Sequence, residues 1–305
     1  MLSVLIAIYN QDVKDLTEAL HSQLETCKFP FEILLLDDYS NEYFRNTNSS
    51  LTYLPNVRYL QNESNLGRSI TRNLLAKNAQ YPYLLMIDCD AKMANLQYIQ
   101  YYYDAIAQHS KEEYFVINGG IGYRTGEPSR QNYLRWHYGK QREERNAAKR
   151  NLNPYHTFTP FNIVITRSIF NLIQFNDNLH NYGHEDTLFS AELKELAIPI
   201  YHIDNFLYHD GLDSNEEFLN KIENSVQNLV LFERGYPDIM LSESKLLRTY
   251  HLFLKFKITP ILTLFFTLKQ FLRHQILQNN SIFWLDVYKL CYLHSIYNLK
   301  NNPSK

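Results

Sequence analysis

The stretch Tyr83-Leu84-Leu85-Met86-Ile87-Asp88-Cys89-Asp90 decides how this chain folds. An apolar run of strand length stops in two carboxylates one residue apart. A run that is apolar at every position, not every second one, fits a strand buried on both faces, as in a parallel sheet covered by helices. In such a sheet ligands bind beyond the carboxyl ends of the strands, so acids placed just after the run point at a ligand. Their natural partner is a hard divalent cation. Mg²⁺ and Mn²⁺ take oxygen ligands, commonly one or two carboxylates, and leave other positions to water and substrate phosphate. A solvated turn with two acids reads the same way in isolation, so the surrounding chain decides.

The pattern recurs on both sides of this stretch. Residues 2–9 are apolar and stop at Asn10-Gln11-Asp12, where Asp12 is placed to cap a helix running to Cys27, with Leu16, Ala19, Leu20 and Leu24 on one face. Phe31-Glu32-Ile33-Leu34-Leu35-Leu36 runs into Asp37-Asp38-Tyr39-Ser40, a second pair of acids at a strand end. Val57-Arg58-Tyr59-Leu60 is a short strand before a polar turn, a helix opens near Ser69, and residues 99–110 are helical. Strands alternating with helices imply βαβ units and a mostly parallel sheet.

Further along, a strand over 114–117 ends in Gly119-Gly120, two of only nine glycines, so the backbone turns sharply there or meets something closely. Residues 131–150 are polar and charged all round, which describes an exposed helix or an acceptor-side loop. Phe161-Asn162-Ile163-Val164-Ile165 is another strand, with a short helix over 168–173. Asn181-Tyr182-Gly183-His184-Glu185-Asp186-Thr187 leads into a helix carrying Leu188, Phe189, Leu193 and Leu196. Acids at a helix start are favoured by its dipole, so capping accounts for Glu185 and Asp186 as readily as catalysis does. Residues 198–203 are strand-like, and Tyr208-His209-Asp210-Gly211 closes the segment.

With 305 residues, 45% hydrophobic and 20% charged, the composition is that of a globular protein of one large or two modest domains. A net charge of −2 argues against a general nucleic-acid binder. Cys27, Cys89 and Cys291 are odd in number and far apart, which suggests neither a disulfide framework nor a cysteine zinc site and fits a reducing, cytoplasmic compartment. The first residues read as a strand and not as a signal peptide. No apolar run reaches the roughly 18 residues of a spanning helix. From Ser244 onward nine Lys and Arg face a single acid, Asp286, and Phe253, Phe256, Phe265, Phe266 and Phe271 are interleaved with them. That composition suits a membrane interface, and equally helices packed on a catalytic domain. The expected division is a catalytic domain over residues 1–235 and a basic, apolar, helical extension over 236–305.

Five motifs in order make the sequence resemble the family 2 glycosyltransferases over residues 2–211. They are Ile6-Ala7-Ile8-Tyr9-Asn10; Glu32 to Ser40 with Asp37-Asp38; Asn65-Leu66-Gly67 with Thr71-Arg72-Asn73; Asp88-Cys89-Asp90; and Tyr182-Gly183-His184-Glu185-Asp186. Ala7, Tyr39 and Thr71 depart from the family's usual Pro, Gly and Ala. The resemblance implies a GT-A-type, Rossmann-like α/β fold with a mostly parallel sheet flanked by helices. It implies metal-dependent, inverting transfer from a nucleotide sugar, UDP first among nucleotides, to a hydroxyl of a glycan or lipid-linked acceptor, as in bacterial cell-surface polysaccharide synthesis. It places Tyr9, Asn10, Asp38, Gly67, Arg72 and Asp88 round the nucleotide sugar. Asp88 and Asp90 would meet Mn²⁺ or Mg²⁺, with His209 completing the metal site and His202 as fallback. Asp186 would be the general base with Glu185 beside it, and Tyr182, Gly183 and His184 would face the acceptor.

The chemistry agrees with these roles. A departing nucleoside diphosphate gains negative charge that a cation stabilises, and an acceptor hydroxyl needs a carboxylate to take its proton. Two other classes compete. A nucleotidyltransferase usually needs a Gly-rich basic N-terminal loop, which Asn10-Gln11-Asp12-Val13-Lys14 is not, and a non-catalytic sugar or lipid-surface module would tolerate loss of Asp186. The basic extension would place the enzyme at the inner face of the cytoplasmic membrane.

Overall fold

A computed structural model describes residues 1–27, 29–177 and 183–301. Two compact units share the chain. Met1–Arg124, Glu143–His180 and Glu185–Gly211 form the first, and Thr125–Arg142, Asn181–His184 and Leu212–Lys305 the second.

The first unit opens with β1 (Leu2–Ile8), α1 (Lys14–Thr26), β2 (Phe31–Asp37), α2 (Glu42–Ser49), β3 (Val57–Gln61), α3 (Arg68–Asn78) and β4 (Tyr83–Asp88). It continues through β5 (Ala91–Lys92), α4 (Tyr98–His109), β6 (Val116–Asn118) and β7 (Ile121–Gly122). After α5 (Tyr133–Arg142), which belongs to the second unit, come α6 (Ala147–Arg150), β8 (Asn162–Thr166), α7 (Glu185–Glu195), β9 (Ile200–His202) and β10 (Leu207–His209).

The main sheet has the order β3-β2-β1-β4-β8-β6-β9, and a small one the order β5-β10-β7. Strands β1 to β4 are mutually parallel, and β8 runs antiparallel between β4 and β6. Because side chains alternate along a strand, every buried strand feeds two cores. Val4, Ile6, Ile8, Ile33, Leu35, Leu85 and Ile87 pack with Leu16, Leu20 and Leu24 of α1 and Tyr98, Tyr102 and Ile106 of α4. Leu5, Leu34, Leu36, Leu84, Met86, Ile163 and Ile165 take the other face, against Leu75 of α3 and Phe189 and Leu193 of α7. Both faces covered is what the uninterrupted apolar runs require.

The strand order also fixes where a ligand goes. β2 and β3 build outward from one side of β1 and β4 from the other, so the crevice of this sheet lies beyond the carboxyl ends of β1 and β4. Asp88 is in register with Ala7, two residues before Tyr9.

Several local expectations changed. The residue before α1 is Val13; Asp12 accepts from the Lys14 backbone N–H at 2.8 Å, and Asn48 Oδ1 accepts from that of Val13 at 3.1 Å. α2 carries no apolar stripe, only Asn48 being buried, so the pattern gave no sign of it. Residues 131–150 are not a solvated face: Leu134, Arg135 and Gly139 are buried in the second unit and Arg150 in the first. The Arg150 guanidinium donates to the carbonyls of Asn118, Gly119 and Ile203 at 3.1, 3.2 and 2.6 Å. It also lies 2.9 Å from His202 Nδ1, and burial pushes that imidazole's pKa down to about 4. His202 is thus a buried structural histidine. The glycine pair does meet something closely, since a Cβ on Gly119 would stand 2.4 Å from both the Asn205 carbonyl and the Tyr102 hydroxyl.

The second unit comprises α5, α8 (Asn215–Gly235), α9 (Pro237–Glu243), α10 (Lys245–Lys255), α11 (Thr259–Thr267), α12 (Lys269–Asn279) and α13 (Ile282–Asn301). Ser214 and Glu217 start α8 with a reciprocal capping box. Leu134 of α5 and Phe218, Leu219 and Ile222 of α8 share one core with Leu272, Ile276, Leu285 and Tyr288 of α12 and α13. The division therefore falls after Gly211 and not after residue 235, because α8 has its apolar partners in the C-terminal helices. No described helix is long and apolar enough to cross a membrane. A chain ending at Gly235 loses four buried partners of α8, each worth about 2–5 kcal/mol. Together that is comparable to the whole margin of an ordinary domain, roughly 5–15 kcal/mol. Such a chain is expected to show no cooperative unfolding of its residual α8 segment by far-ultraviolet circular dichroism.

Candidate active site

Each acid expected at a strand end is placed by a local reason. Asp38 is 4% exposed and both its oxygens are used: Oδ1 accepts from Asn62 Nδ2 and the Leu66 N–H, Oδ2 from the Gly67 N–H, all at 2.8 Å. It fixes the 62–67 loop. Gly67, with φ of +88°, ends that loop in a conformation open to glycine and starts α3.

α3 then delivers Arg72, which is 3% exposed. Its Nη2 donates to Asp88 Oδ1 at 2.7 Å, its Nη1 lies 3.6 Å from Glu185 Oε1, and its guanidinium sits 5.4 Å from the Phe175 ring centroid. Asn73 clamps the Phe175 backbone from both sides, at 2.8 and 3.0 Å. Arg68, one turn earlier, is 3.9 Å from the same Glu185 oxygen. Burial raises the pKa of Asp88, but the Arg72 and Arg68 charges and the Arg72 hydrogen bond outweigh it and hold the carboxyl below its ordinary value.

Asp186 is the opposite case. Burial and the neighbouring Glu185 charge push its pKa up to about 6, against the partial relief of the Thr187 N–H, 2.7 Å from Oδ1, and of Arg72. Of these two adjacent carboxylates Glu185 lies against two guanidiniums, and burial keeps the proton on Asp186 up to about pH 6.

On the other strand ends, Tyr9 is half exposed and Asn10, with φ of +49°, joins two loops. Its N–H donates to Ser40 Oγ and its Oδ1 accepts from the Asn41 N–H, both at 2.8 Å. Tyr39 takes φ of +67°, the left-handed region glycine adopts freely and other residues at a cost of roughly 1–2 kcal/mol. Its ring, half exposed, carries the Arg45 guanidinium at 5.6 Å. Cys89 is no nucleophile, since burial and Asp90 push its thiol up to about 12.

Asp90 Oδ2 lies 3.4 Å from His209 Nε2, and the His209 ring is flanked by Tyr123 and Phe161 at 5.7 and 5.6 Å. β10 pairs with β5, putting His209 opposite Ala91, the residue after Asp90. Among the described residues no group of three or more His, Cys, Asp or Glu is arranged to hold a metal ion. One carboxylate and one imidazole still fit an ion that draws its other ligands from water and phosphate. Asp88 gives Oδ1 to Arg72, and the His209 charge also acts on its carboxyl.

On the acceptor side, Tyr182 lies outside the described residues. Gly183 and His184 fall in the second unit, where His184 Nε2 is 3.2 Å from Ser225 Oγ. Phe175, Tyr123 and Asn62 carry no local signal that marks them as supports. Arg68, one residue after Gly67, was within reach of a reading that looked for cations beside a helix start.

Residues 3–172 match the family model described as glycosyl transferase family 2. The chain belongs to that family. As a glycosyltransferase it is also similar in fold to solved enzymes of GT-A type. A mannosyltransferase from Pyrobaculum calidifontis, in complex with GDP-Man and Mn²⁺, superposes with a TM-score of 0.59 at 12% identity, over 98% of this chain and 87% of that one. S. aureus TarS 1–349 in complex with UDP-GlcNAc gives 0.51 at 19% identity, over 98% and 92%. A longer TarS chain gives 0.50 at 22% identity, over 75% of this chain, and the match spans only 39% of that protein. No curated protein matches the sequence. The α/β fold with a mostly parallel sheet, a helical C-terminal region and the transferase class are thereby as the sequence indicated.

The split carboxylates give a stability test. A carboxyl whose folded pKa lies above its unfolded value of about 3.9 keeps its proton longer when folded, so stability falls as pH rises from about 4 to 6 and stays low above. Asp186→Asn removes that loss. It should stabilise the protein by about 1–3 kcal/mol at pH 7.5 and by little at pH 4, read from urea unfolding at both values.

Proposed function

We propose that this glycosyltransferase moves a sugar from a nucleoside diphosphate sugar, with UDP as the nucleotide, to a hydroxyl of a glycan or lipid-linked acceptor, with inversion, in cell-surface polysaccharide synthesis. The observation that carries it is the Asp88–Arg72–Glu185 line at the β1–β4 crevice, with the proton-holding Asp186 at its end. The ligands of the two fold neighbours, UDP-GlcNAc and GDP-Man, support a donor of this class.

Tyr9, Asn10 and Tyr39, on the loops after β1 and β2, border the nucleoside. Asp38 acts through the loop it holds and through Gly67. Arg68 and Arg72 supply positive charge to the leaving diphosphate where charge develops. Asp90 and His209 would hold a Mn²⁺ or Mg²⁺, which when bound neutralises diphosphate oxygens; the mannosyltransferase with bound Mn²⁺ supports this. Asp186 accepts the acceptor proton as the oxygen attacks the anomeric carbon opposite the diphosphate. Gly183 and His184, with Tyr182, would position that acceptor. The basic C-terminal helices hold the enzyme at the inner face of a cytoplasmic membrane, where a lipid-linked acceptor is presented. Family membership favours neither the nucleotidyltransferase nor the non-catalytic module.

Two measurements test the roles. Asp186→Asn should lower kcat by about 10² or more with donor affinity nearly constant, while the parent's rate rises with pH through about 6 as the base is freed. Survival of kcat in that variant with its loss in Glu185→Gln would move the base one residue. Asp90→Ala should abolish the Mn²⁺-dependent part of UDP binding in calorimetry and leave the thermal midpoint in place; equal affinity with and without the substitution removes Asp90 from the metal site.

A further inference from the structure

The corner between α10 and α11 is an apolar feature that the catalytic reading leaves unused. Leu254, Phe256, Ile258 and Ile261 are 46, 66, 38 and 49% exposed, in the run Leu254-Lys255-Phe256-Lys257-Ile258-Thr259-Pro260-Ile261. Lys257 turns the chain with φ of +56°, and Pro260 lies in the first turn of α11. α11 itself has no charged residue and buries only Leu262, leaving Leu264 exposed. One side of α11 packs on α13, where Leu262 is buried, and Ile261 and Leu264 are turned out of that contact.

Charge selects the occupant. Residues 244–281 hold Lys245, Arg248, Lys255, Lys257, Lys269 and Arg273 and no acid. Arg273 is neutralised by Glu223 and Glu216 at 2.7 Å each, and Lys269 lies 3.8 Å from Glu223. Lys255 and Lys257, in contrast, are exposed between the apolar residues of the corner. A second copy meeting this surface about a two-fold axis would bring those lysines toward their own equivalents, an unfavourable pairing. A bilayer with anionic headgroups takes both features together. Spanning is excluded by length, because nine residues of helix reach about 14 Å against a hydrocarbon core of roughly 30 Å.

We propose that the α10–α11 corner is a membrane-inserting surface, seating Phe256, Ile258, Ile261 and Leu264 at the headgroup–acyl boundary of an anionic bilayer with Lys255 and Lys257 on its phosphates. It rests on the membrane-surface part of the proposed function and locates it. Co-sedimentation of the full chain with phosphatidylcholine vesicles, with and without phosphatidylglycerol, tests it. The unaltered protein should pellet with anionic vesicles and poorly with neutral ones. Phe256→Glu combined with Ile261→Glu should lower the partition coefficient about tenfold or more. Lys255→Glu with Lys257→Glu should remove the preference for anionic lipid. Leu96→Asp, at a 92% exposed position of the first unit, should change nothing. Equal partition of the corner variants and the parent overturns the proposal. So does absence of binding by the parent, or a parent whose mass by light scattering halves in the Phe256/Ile261 variant while its vesicle binding is unchanged. UDP calorimetry on the same samples reports the catalytic reading separately, since failure there would appear as lost nucleotide binding with vesicle binding intact.

Discussion

A buried guanidinium is costly unless its charge is met, and Arg72 is met on two sides, by Asp88 and by Glu185. Four segments depend on that arrangement: the end of β4, the helix α3, the first turn of α7 and the stretch at Phe175. The dependence starts earlier still. Asp38 uses its two oxygens on the 62–67 loop, which sets Gly67, which sets the start of α3 and so the depth at which Arg72 enters. An acid that looks like a ligand in the sequence is thus a fastening for the cation that matters.

The same guanidinium explains why neighbouring acids differ. Glu185 takes the Arg72 and Arg68 charges, and Asp186, one residue on, is left with burial and the Glu185 charge acting on it in the same direction. Asp88 is half-buried, and there the Arg72 and Arg68 charges outweigh desolvation and hold its carboxyl below the ordinary value. Asp88 and Asp186 shift in opposite directions because the Arg72 charge acts on them unequally.

How much of this a sequence discloses depends on the range of the interaction. Strand faces were legible because period-two burial is local: residues 83–87 are apolar throughout because both sheet faces are covered, and Leu85 and Met86 enter different cores. The acids were legible by position after a strand. Arg150 was not, because its partners lie in segments 118–119 and 202–203, and nothing within a turn of it marks a buried charge. α2 was missed for want of an apolar stripe, and the unit boundary because α8 is completed by helices some 50 residues later, a pairing that no local pattern encodes.

The charge excess of the C-terminal helices shows the same limit from the other side. Counting residues gives nine cations to one acid after Ser244, as though the whole segment were a basic face. The fold redistributes it. Arg273 and Lys269 turn toward acids of α8, and Arg142 of α5 takes Asp286 at 2.6 Å. Lys255 and Lys257 are left exposed where α10 meets α11, beside the exposed Phe256, Ile258 and Ile261. Ion pairing with the acids of α8 takes up the charges of α12, and Lys255 and Lys257 stay on the surface that also carries the exposed Phe256, Ile258 and Ile261; it is that coincidence, more than the total charge, that favours a lipid surface.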